Sequence, residues 1–421
     1  MKKVGVALLG LGTVGGGTYR ILKSMHDDIM ASDGVDIEIR RIIERDVAKA
    51  EALGVDPALL STDINDVISD PEIKIVAEFF GGIEPARSFL IASLKAGKSI
   101  VTANKEMFSK CMEDLKAAAI EGNAGLYFEA SCVGGVPVIR ALTESMQGNR
   151  IDSIMGIVNG TTNYILTKMA DEGMEYDDVL KEAQRLGYAE ANPTADVDGF
   201  DSMYKLSILS TLCFRKHVPL DKIYREGISK ISKTDIEYGK RFGYTLKLLA
   251  IGKLTHGKIE ARVHPAFILN SNPLASVKGS FNAVLIHGNN VDDVMLYGRG
   301  AGDLPTGSAI VSDIVYAAVQ DKHKLFSYSS DVSDEDFADD FTSEYYVRMT
   351  VKDKAGVLAK IAAAFGKYGV SINSVQQQAD DGKASIIFMI HRTSEAALKK
   401  AATEIESLND VISVDTVIRV I

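Results

Sequence analysis

Cysteine is scarce: Cys111, Cys132 and Cys213 are the only three in 421 residues. None forms a CxxC pair or a zinc-ligand spacing, and an odd number gives no disulfide framework. Long apolar runs are missing too. The opening MKKVGVALLG is too short an apolar run for a signal peptide, and no later run would span a membrane, so a reducing cytoplasm is the expected setting. Nor is positive charge in excess. Lys and Arg total 47 against 57 Asp and Glu, a formal net charge of -10, which argues against non-specific nucleic-acid binding but leaves room for a local basic pocket. What is present is ordinary for a globular protein, with 46% hydrophobic and 25% charged residues, and the length suits two or three domains.

Val4 to Leu9 is a continuous apolar strand followed at once by Gly10-Leu11-Gly12-Thr13-Val14-Gly15, with a helical pattern over 18–30. Strand, GxGxxG and helix in that order is the setting a dinucleotide fingerprint requires. The glycines allow a tight turn and close approach of a pyrophosphate, and the helix start offers free N–H groups. A second strand over 35–43 ends in Glu44-Arg45-Asp46, where a cofactor ribose is read. A carboxylate there suits the 2′-hydroxyl of NAD and an arginine the 2′-phosphate of NADP; the chain offers both. Further strands over 73–80 and 99–101 follow, the second leading into Thr102-Ala103-Asn104-Lys105. A lysine past the C-terminal end of a parallel strand faces the ligand cleft.

The stretch 183–205, AQRLGYAEANPTADVDGFDSMYK, gathers Glu190, Asp196, Asp198, Asp201 and Lys205. A helical pattern begins at Phe200, so Asp201 and Lys205, four apart, share a face and can pair. A lysine held by a carboxylate in a pocket is a plausible proton donor; a solvated helix start is the plain alternative. Upstream, Glu129 leads into the Gly-rich Ser131-Cys132-Val133-Gly134-Gly135-Val136-Pro137, whose accessible carbonyls suit a hard cation or simply make a turn. Cys132 is the one tempting thiol for an acylating aldehyde dehydrogenase, though a passive cysteine is preferred. Asn159-Gly160-Thr161-Thr162-Asn163 reads as a turn capping a helix, and Gly298 to Gly307 as a second Gly-rich turn before a helix over 308–319.

Between Lys324 and Arg348 no basic residue occurs while acids crowd together, which reads as a solvated acidic linker or edge segment over 323–344. From 345 to 421 the pattern restarts as βαββαβ, a ferredoxin-like plan.

The 183–205 stretch resembles the signature of homoserine dehydrogenases, Ala-x3-Gly-aromatic-small then Asn-Pro-x2-Asp-Val-x-Gly-x-Asp-x3-Lys, with every fixed position filled. Thr102-Ala103-Asn104-Lys105 and Asn159 to Asn163 resemble the same family, and Asp353 to Leu358 resembles the Asp-x-x-Gly-Val-Leu turn of ACT domains. The resemblance spans nearly the whole chain. It implies an α/β and α+β protein: a Rossmann-type doubly wound domain over 1–130 joined by a helix over 303–322, a mixed-sheet catalytic and dimerisation domain over 131–302, and an ACT domain over 345–421. It implies reversible NAD(P)-dependent interconversion of L-aspartate 4-semialdehyde and L-homoserine, in threonine, methionine and isoleucine biosynthesis. Lys205 would donate the proton, Lys105 would polarise or position near nicotinamide and substrate, and Asp201 would orient Lys205. Glu190 and Asp196 would form the ammonium pocket. Gly10, Gly12, Thr13, Val14, Gly15, Arg45, Thr102, Lys105 and Gly302 would hold NAD or NADP. Arg45-Asp46 match the family, but Glu44 stands where a small or apolar residue is expected. A sodium ion would take Glu129 and the carbonyls of Cys132, Gly134 and Val136. Gly356, Asn373 and Gln377 would contact an amino-acid effector such as threonine, and a homodimer or homotetramer is expected. The rivals are a Rossmann reductase acting on another small aldehyde and a non-catalytic nucleotide and amino-acid sensor.

Overall fold

The structure, a computed structural model, describes residues 2–323 and 325–421, the side chain of Asp380 excepted; Lys324, inside the expected acidic linker, lies outside them. Six strands make the first sheet: β1 (Lys2–Leu9), β2 (Val35–Ile43), β3 (Leu60–Ser61), β4 (Ile73–Glu78), β5 (Ser99–Thr102) and β6 (Leu126–Tyr127), in the order β3-β2-β1-β4-β5-β6. All pair in parallel. The unbroken apolar run of β1 fits this, because a parallel strand is covered on both faces and Val4–Leu9 is buried throughout. Strand order reverses between β1 and β4, which opens a ligand crevice at their C-terminal ends.

The first helix starts at Thr13, earlier than the periodicity suggests, and stops at Ser24; a second runs over His26–Asp33. Glycines look like a turn in sequence but serve here as packing surface. A Cβ on Gly15 would stand 2.2 Å from the Gly10 carbonyl oxygen, and one on Gly17 would stand 2.3 Å from that of Asp303. The helix Asp303–Val319 thereby returns to pack on the helix Thr13–Ser24, and Ile310 and Ile314 join Val6, Leu8 and Val101 in one core.

A ten-stranded sheet forms the rest. It contains β7 (Ile151–Ile157), β8 (Tyr224–Arg225), β9 (Tyr244–Thr255), β10 (Lys258–Leu269), β11 (Phe281–Gly288), β12 (Asp292–Arg299), β13 (Thr342–Lys352), β14 (Ile372–Asp380), β15 (Lys383–Ser394) and β16 (Val411–Val420). Their order is β12-β11-β7-β9-β10-β16-β13-β15-β14, with β8 beside β10. The tail has the expected βαββαβ succession. Its last strand also pairs in parallel with β10 through Ala266–Arg419 and Phe267–Val420, so one sheet runs through the middle and tail segments. The helix Phe200–Phe214 is buried nearly all round between that sheet and the helix Lys105–Glu121. The acidic segment before the tail is largely exposed yet tied down: Asp336 pairs with Lys216, Asp334 with Lys222 at 2.5 Å, and Phe337 is buried. Among the described residues no helix is long and apolar enough to cross a membrane.

Candidate active site

The C-terminal edge of the first sheet supplies one wall. Gly10 follows β1 with φ 103°, a left-handed conformation that favours glycine, and a Cβ on Gly12 would meet nothing within 4 Å. That open backbone at the start of the helix Thr13–Ser24 fits a pyrophosphate. Thr13, Val14 and Gly15 form its first turn. Gly302, with φ 121°, precedes the helix that packs on it.

On the next strand, Glu78 ends β4 beside Thr102 at the end of β5. The Thr102 hydroxyl donates to the Glu78 carboxylate at 2.6 Å, and the Phe80 amide donates to it at 2.6 Å. Burial nevertheless pushes the Glu78 carboxyl up to about 7. The Asn104 side chain donates to the Phe80 and Gly82 carbonyls and caps the Met107 amide, which fixes the start of the helix carrying Lys105.

The other wall is the helix Phe200–Phe214. Lys205 donates to Asp201 at 2.6 Å and to the Val158 carbonyl at 2.8 Å, both side chains being 9% exposed. Lys105, 42% exposed, approaches the other Asp201 oxygen at 3.4 Å. One carboxylate therefore bridges two lysines from separate segments. Burial alone would raise the Asp201 carboxyl, but the Lys205 and Lys105 charges hold it well below the usual carboxylate range. The Asp201 charge in turn raises Lys105. Asn159 completes the group: its amide donates to Asp196 at 2.7 Å and to Asp201 at 2.9 Å, while its oxygen caps the helix Gly160–Glu172. Asp196 is raised by burial and by the nearby Asp201 charge. The sequence suggested that a threonine hydroxyl caps this helix; the cap is Asn159, whose second job was also missed, and the signal was the Asn-Gly-Thr-Thr-Asn string itself.

Glu190 lies on an exposed loop outside this contact group, with no ion-pair partner for its carboxylate among the described residues. The loop abuts the group through Thr161, whose hydroxyl donates to the Tyr188 carbonyl at 2.6 Å. Cys132 is fully buried with its sulfur 3.9 Å from the Lys205 carbonyl, and burial pushes its thiol up to about 12, unsuited to a nucleophilic role.

Behind Lys205, the Glu129 carboxylate accepts the Ile139 and Arg140 amides at 2.7 Å each. Burial and then neighbouring Asp313 push it up to about 7, and Arg140 is bound to Asp313 at 2.7 Å. Of these two buried acids only Asp313 is paired with the guanidinium; Glu129 meets the Arg140 backbone amide. Among the described residues no hydrogen bond ends on the carbonyls of Cys132 or Gly134; that of Val136 accepts one from Val138. Arg45 is exposed at the rim of the crevice. Gly356 caps the helix Val357–Lys367, and Asn373 and Gln377 are exposed on β14, the outer strand of the tail.

Residues 10–129 match the family model for the homoserine dehydrogenase NAD binding domain, residues 137–315 that for homoserine dehydrogenase, and residues 345–410 that for the ACT domain. The homoserine dehydrogenase of Bacillus subtilis (strain 168) is 38% identical over 429 residues, covering 100% of this chain and 99% of the relative. The chain belongs to the homoserine dehydrogenase family. The Corynebacterium glutamicum homoserine dehydrogenase is 42% identical across 99% of this chain and 95% of the relative. A crystal structure of a homoserine dehydrogenase from Thiobacillus denitrificans superposes with a TM-score of 0.92 at 39% identity, covering 100% of this chain and 99% of that one. A hyperthermophilic archaeal homoserine dehydrogenase in complex with NADPH aligns with a TM-score of 0.64 at 30% identity, over 75% of this chain and 98% of that one. Membership makes the chain an NAD(P)-using homoserine dehydrogenase, an oxidoreductase, with a C-terminal ACT domain. It sets aside the sensor and other-aldehyde readings.

Proposed function

We propose that the Asp201-bridged lysine pair is the centre at which L-aspartate 4-semialdehyde and L-homoserine are interconverted. The observation that carries this is the single carboxylate shared by Lys105 and Lys205 beside the crevice of the dinucleotide loop. A bound nicotinamide supplies the hydride to the aldehyde carbon in reduction and takes it back in oxidation. Of the three donors on Lys205, two are engaged by Asp201 and the Val158 carbonyl. The third is left for the substrate oxygen, which receives the proton as the C–O double bond becomes an alcohol. The Lys105 ammonium, reaching the same carboxylate from the nucleotide side, polarises that oxygen. Asp201 orients both lysines, and its charge favours the charged form of Lys105. Asp196, held by Asn159, and Glu190 on the adjoining loop take the substrate ammonium. Gly10, Gly12, Thr13, Val14, Gly15, Arg45, Thr102 and Gly302 line the cofactor path; the Thr102 hydroxyl serves Glu78, so its backbone is the part offered to a ligand.

The buried acids Glu129 and Asp313, of which only Asp313 is paired with Arg140, suit a monovalent cation, and the Cys132, Gly134 and Val136 carbonyls add oxygen ligands. Sodium there would brace the segment behind Lys205. Exposed Gly356, Asn373 and Gln377 on the ACT domain suit an amino-acid effector such as threonine, consistent with a place in threonine, methionine and isoleucine synthesis. Met155, Leu285, Met295 and the 54% exposed Tyr297 form an apolar sheet surface that fits a homodimer, or a homotetramer built from it. We divide the chain after 130, 302 and 344, with the helix over 303–322 belonging to the first domain, and place the protein in the cytoplasm.

The deciding experiment is Lys205→Ala. Turnover of homoserine is expected to fall by roughly a hundredfold or more while NADH still binds; turnover close to that of the unaltered enzyme would refute the assignment.

A further inference from the structure

Glu44 is the first residue past β2, at the rim of the crevice, and its side chain is half-buried. One carboxylate oxygen accepts the Leu11 amide, between Gly10 and Gly12, at 2.8 Å. The other accepts the Arg45 amide at 2.8 Å and the Asp46 amide at 3.0 Å. The Glu44 amide is itself tied to the Ser61 carbonyl at 3.1 Å. A fixed carboxylate therefore sits against the turn that would hold the pyrophosphate, at the strand end where an adenosine ribose is read.

A carboxylate offers about four acceptor positions. Three are filled by amides, and the open one is on the oxygen facing the glycine turn, suited to a ribose hydroxyl. A 2′-phosphate at the same place would meet a charge that cannot swing away. Burial alone would raise this carboxyl, but the Asp46, Leu11 and Arg45 amides outweigh it and hold the group ionised. The nearby cations offset this poorly. Lys49 is engaged with Asp46 at 3.8 Å, and Arg45, exposed at the crevice rim, is fixed towards the ribose position by no ion pair among the described residues.

We infer that Glu44 is the residue that selects the cofactor, and that this chain takes NAD(H), with its free adenosine 2′-hydroxyl, over NADP(H). The inference rests on the dinucleotide site proposed above and names which dinucleotide that site takes.

The test is binding, measured by calorimetric titration of the full-length protein with NADH and NADPH separately at low salt. NADH is expected to bind at least about tenfold more tightly, a gap that narrows as salt is raised. The Glu44→Gln variant, which keeps an acceptor but loses the charge, is expected to close most of the gap by tightening NADPH. Because that variant disturbs three amide contacts, a second measurement needs no substitution: 5′-AMP should displace bound NADH from the unaltered protein better than adenosine 2′,5′-bisphosphate. NADPH binding as tightly as NADH, a preference unchanged in Glu44→Gln, or the bisphosphate displacing better would each overturn the inference while leaving the dinucleotide site standing. Binding of neither dinucleotide would overturn both.

Discussion

Arg419, one residue before the end of β16, pairs with Glu226 on the loop after β8. The same guanidinium binds Glu395 at 2.5 Å and the Tyr224 hydroxyl at 2.7 Å, and is itself 4% exposed. Gly227, next to Glu226, is packed so closely on the substrate-side stretch that a Cβ would fall 2.3 Å from the Val197 carbonyl oxygen and 2.6 Å from the Asp198 Cα. The tail thus reaches the stretch that carries Asp196 and Asp201 through one ion pair and one glycine.

Replacing Arg419 by alanine is expected to destabilise the protein by about 3–5 kcal/mol, because buried Glu395 would lose its close partner and keep only the exposed Lys399 at 3.7 Å. The KM for homoserine should rise in the same variant as the 226–228 loop loosens beneath Asp198. Thermal melts and steady-state kinetics check both; an unchanged KM with the stability lost would separate tail docking from substrate binding.

Asp201→Asn removes the charge shared by the two lysines, and kcat is expected to fall by about two to four orders of magnitude with NADH binding retained. The pH dependence of stability carries a sign. The folded-state pKa of Asp201 is depressed, so its contribution is fully present above the unfolded aspartate value of about 3.9 and is lost as pH falls towards its native value. Acid unfolding of Asp201→Asn should therefore show a shallower slope below about pH 4 than the unaltered protein.

Much of this arrangement could be read from residue order. The apolar run into Gly10-Leu11-Gly12 gave the nucleotide crevice, and the four-residue spacing of Asp201 and Lys205 gave their pairing. The meeting of Lys105 with Asp201 follows from two helices packing side by side, a long-range contact that no local pattern encodes beyond family likeness. Glu78 was hidden for a different reason: an acid at the end of an apolar strand looks like a strand terminus, and only the neighbouring register shows Thr102 beneath it. The joining of β16 to β10 was equally invisible, since a two-pair parallel contact leaves no periodicity of its own.

Asn159→Ala tests a residue that both caps a helix and joins two carboxylates. Loss of the cap should lower stability by about 0.5–2 kcal/mol. The larger effect is expected on kcat/KM, because Asp196 and Asp201 lose their common donor and Asp196, already raised by burial and by Asp201, would rise further. Asn159→Asp should restore the cap without restoring activity, since a third carboxylate cannot donate to the other two.

Glu78 should impose the opposite pH slope to Asp201. Its native value of about 7 exceeds the ordinary 4.5, so its contribution is greatest below pH 4.5 and is lost as pH rises towards 7. At most about 3 kcal/mol is involved, at 1.36 kcal/mol per unit. Glu78→Gln is expected to flatten stability across this window, measured by urea unfolding at successive pH values.

Sodium binding is separable from the chemistry. If Glu129 and Asp313 need a cation beyond Arg140, the protein should melt higher in sodium chloride than in choline chloride at equal ionic strength. With sodium at ten times its dissociation constant the gain is about 1.4 kcal/mol, enough to read as a shift in Tm. In Glu129→Gln one of the two acids is gone, Arg140 balances the other, and the difference between the salts should vanish even if the variant melts lower overall. Equal melting of the unaltered protein in both salts would mean that Arg140 and the amides of Ile139 and Arg140 already satisfy the pair, and that the Gly-rich segment 132–136 is a structural turn.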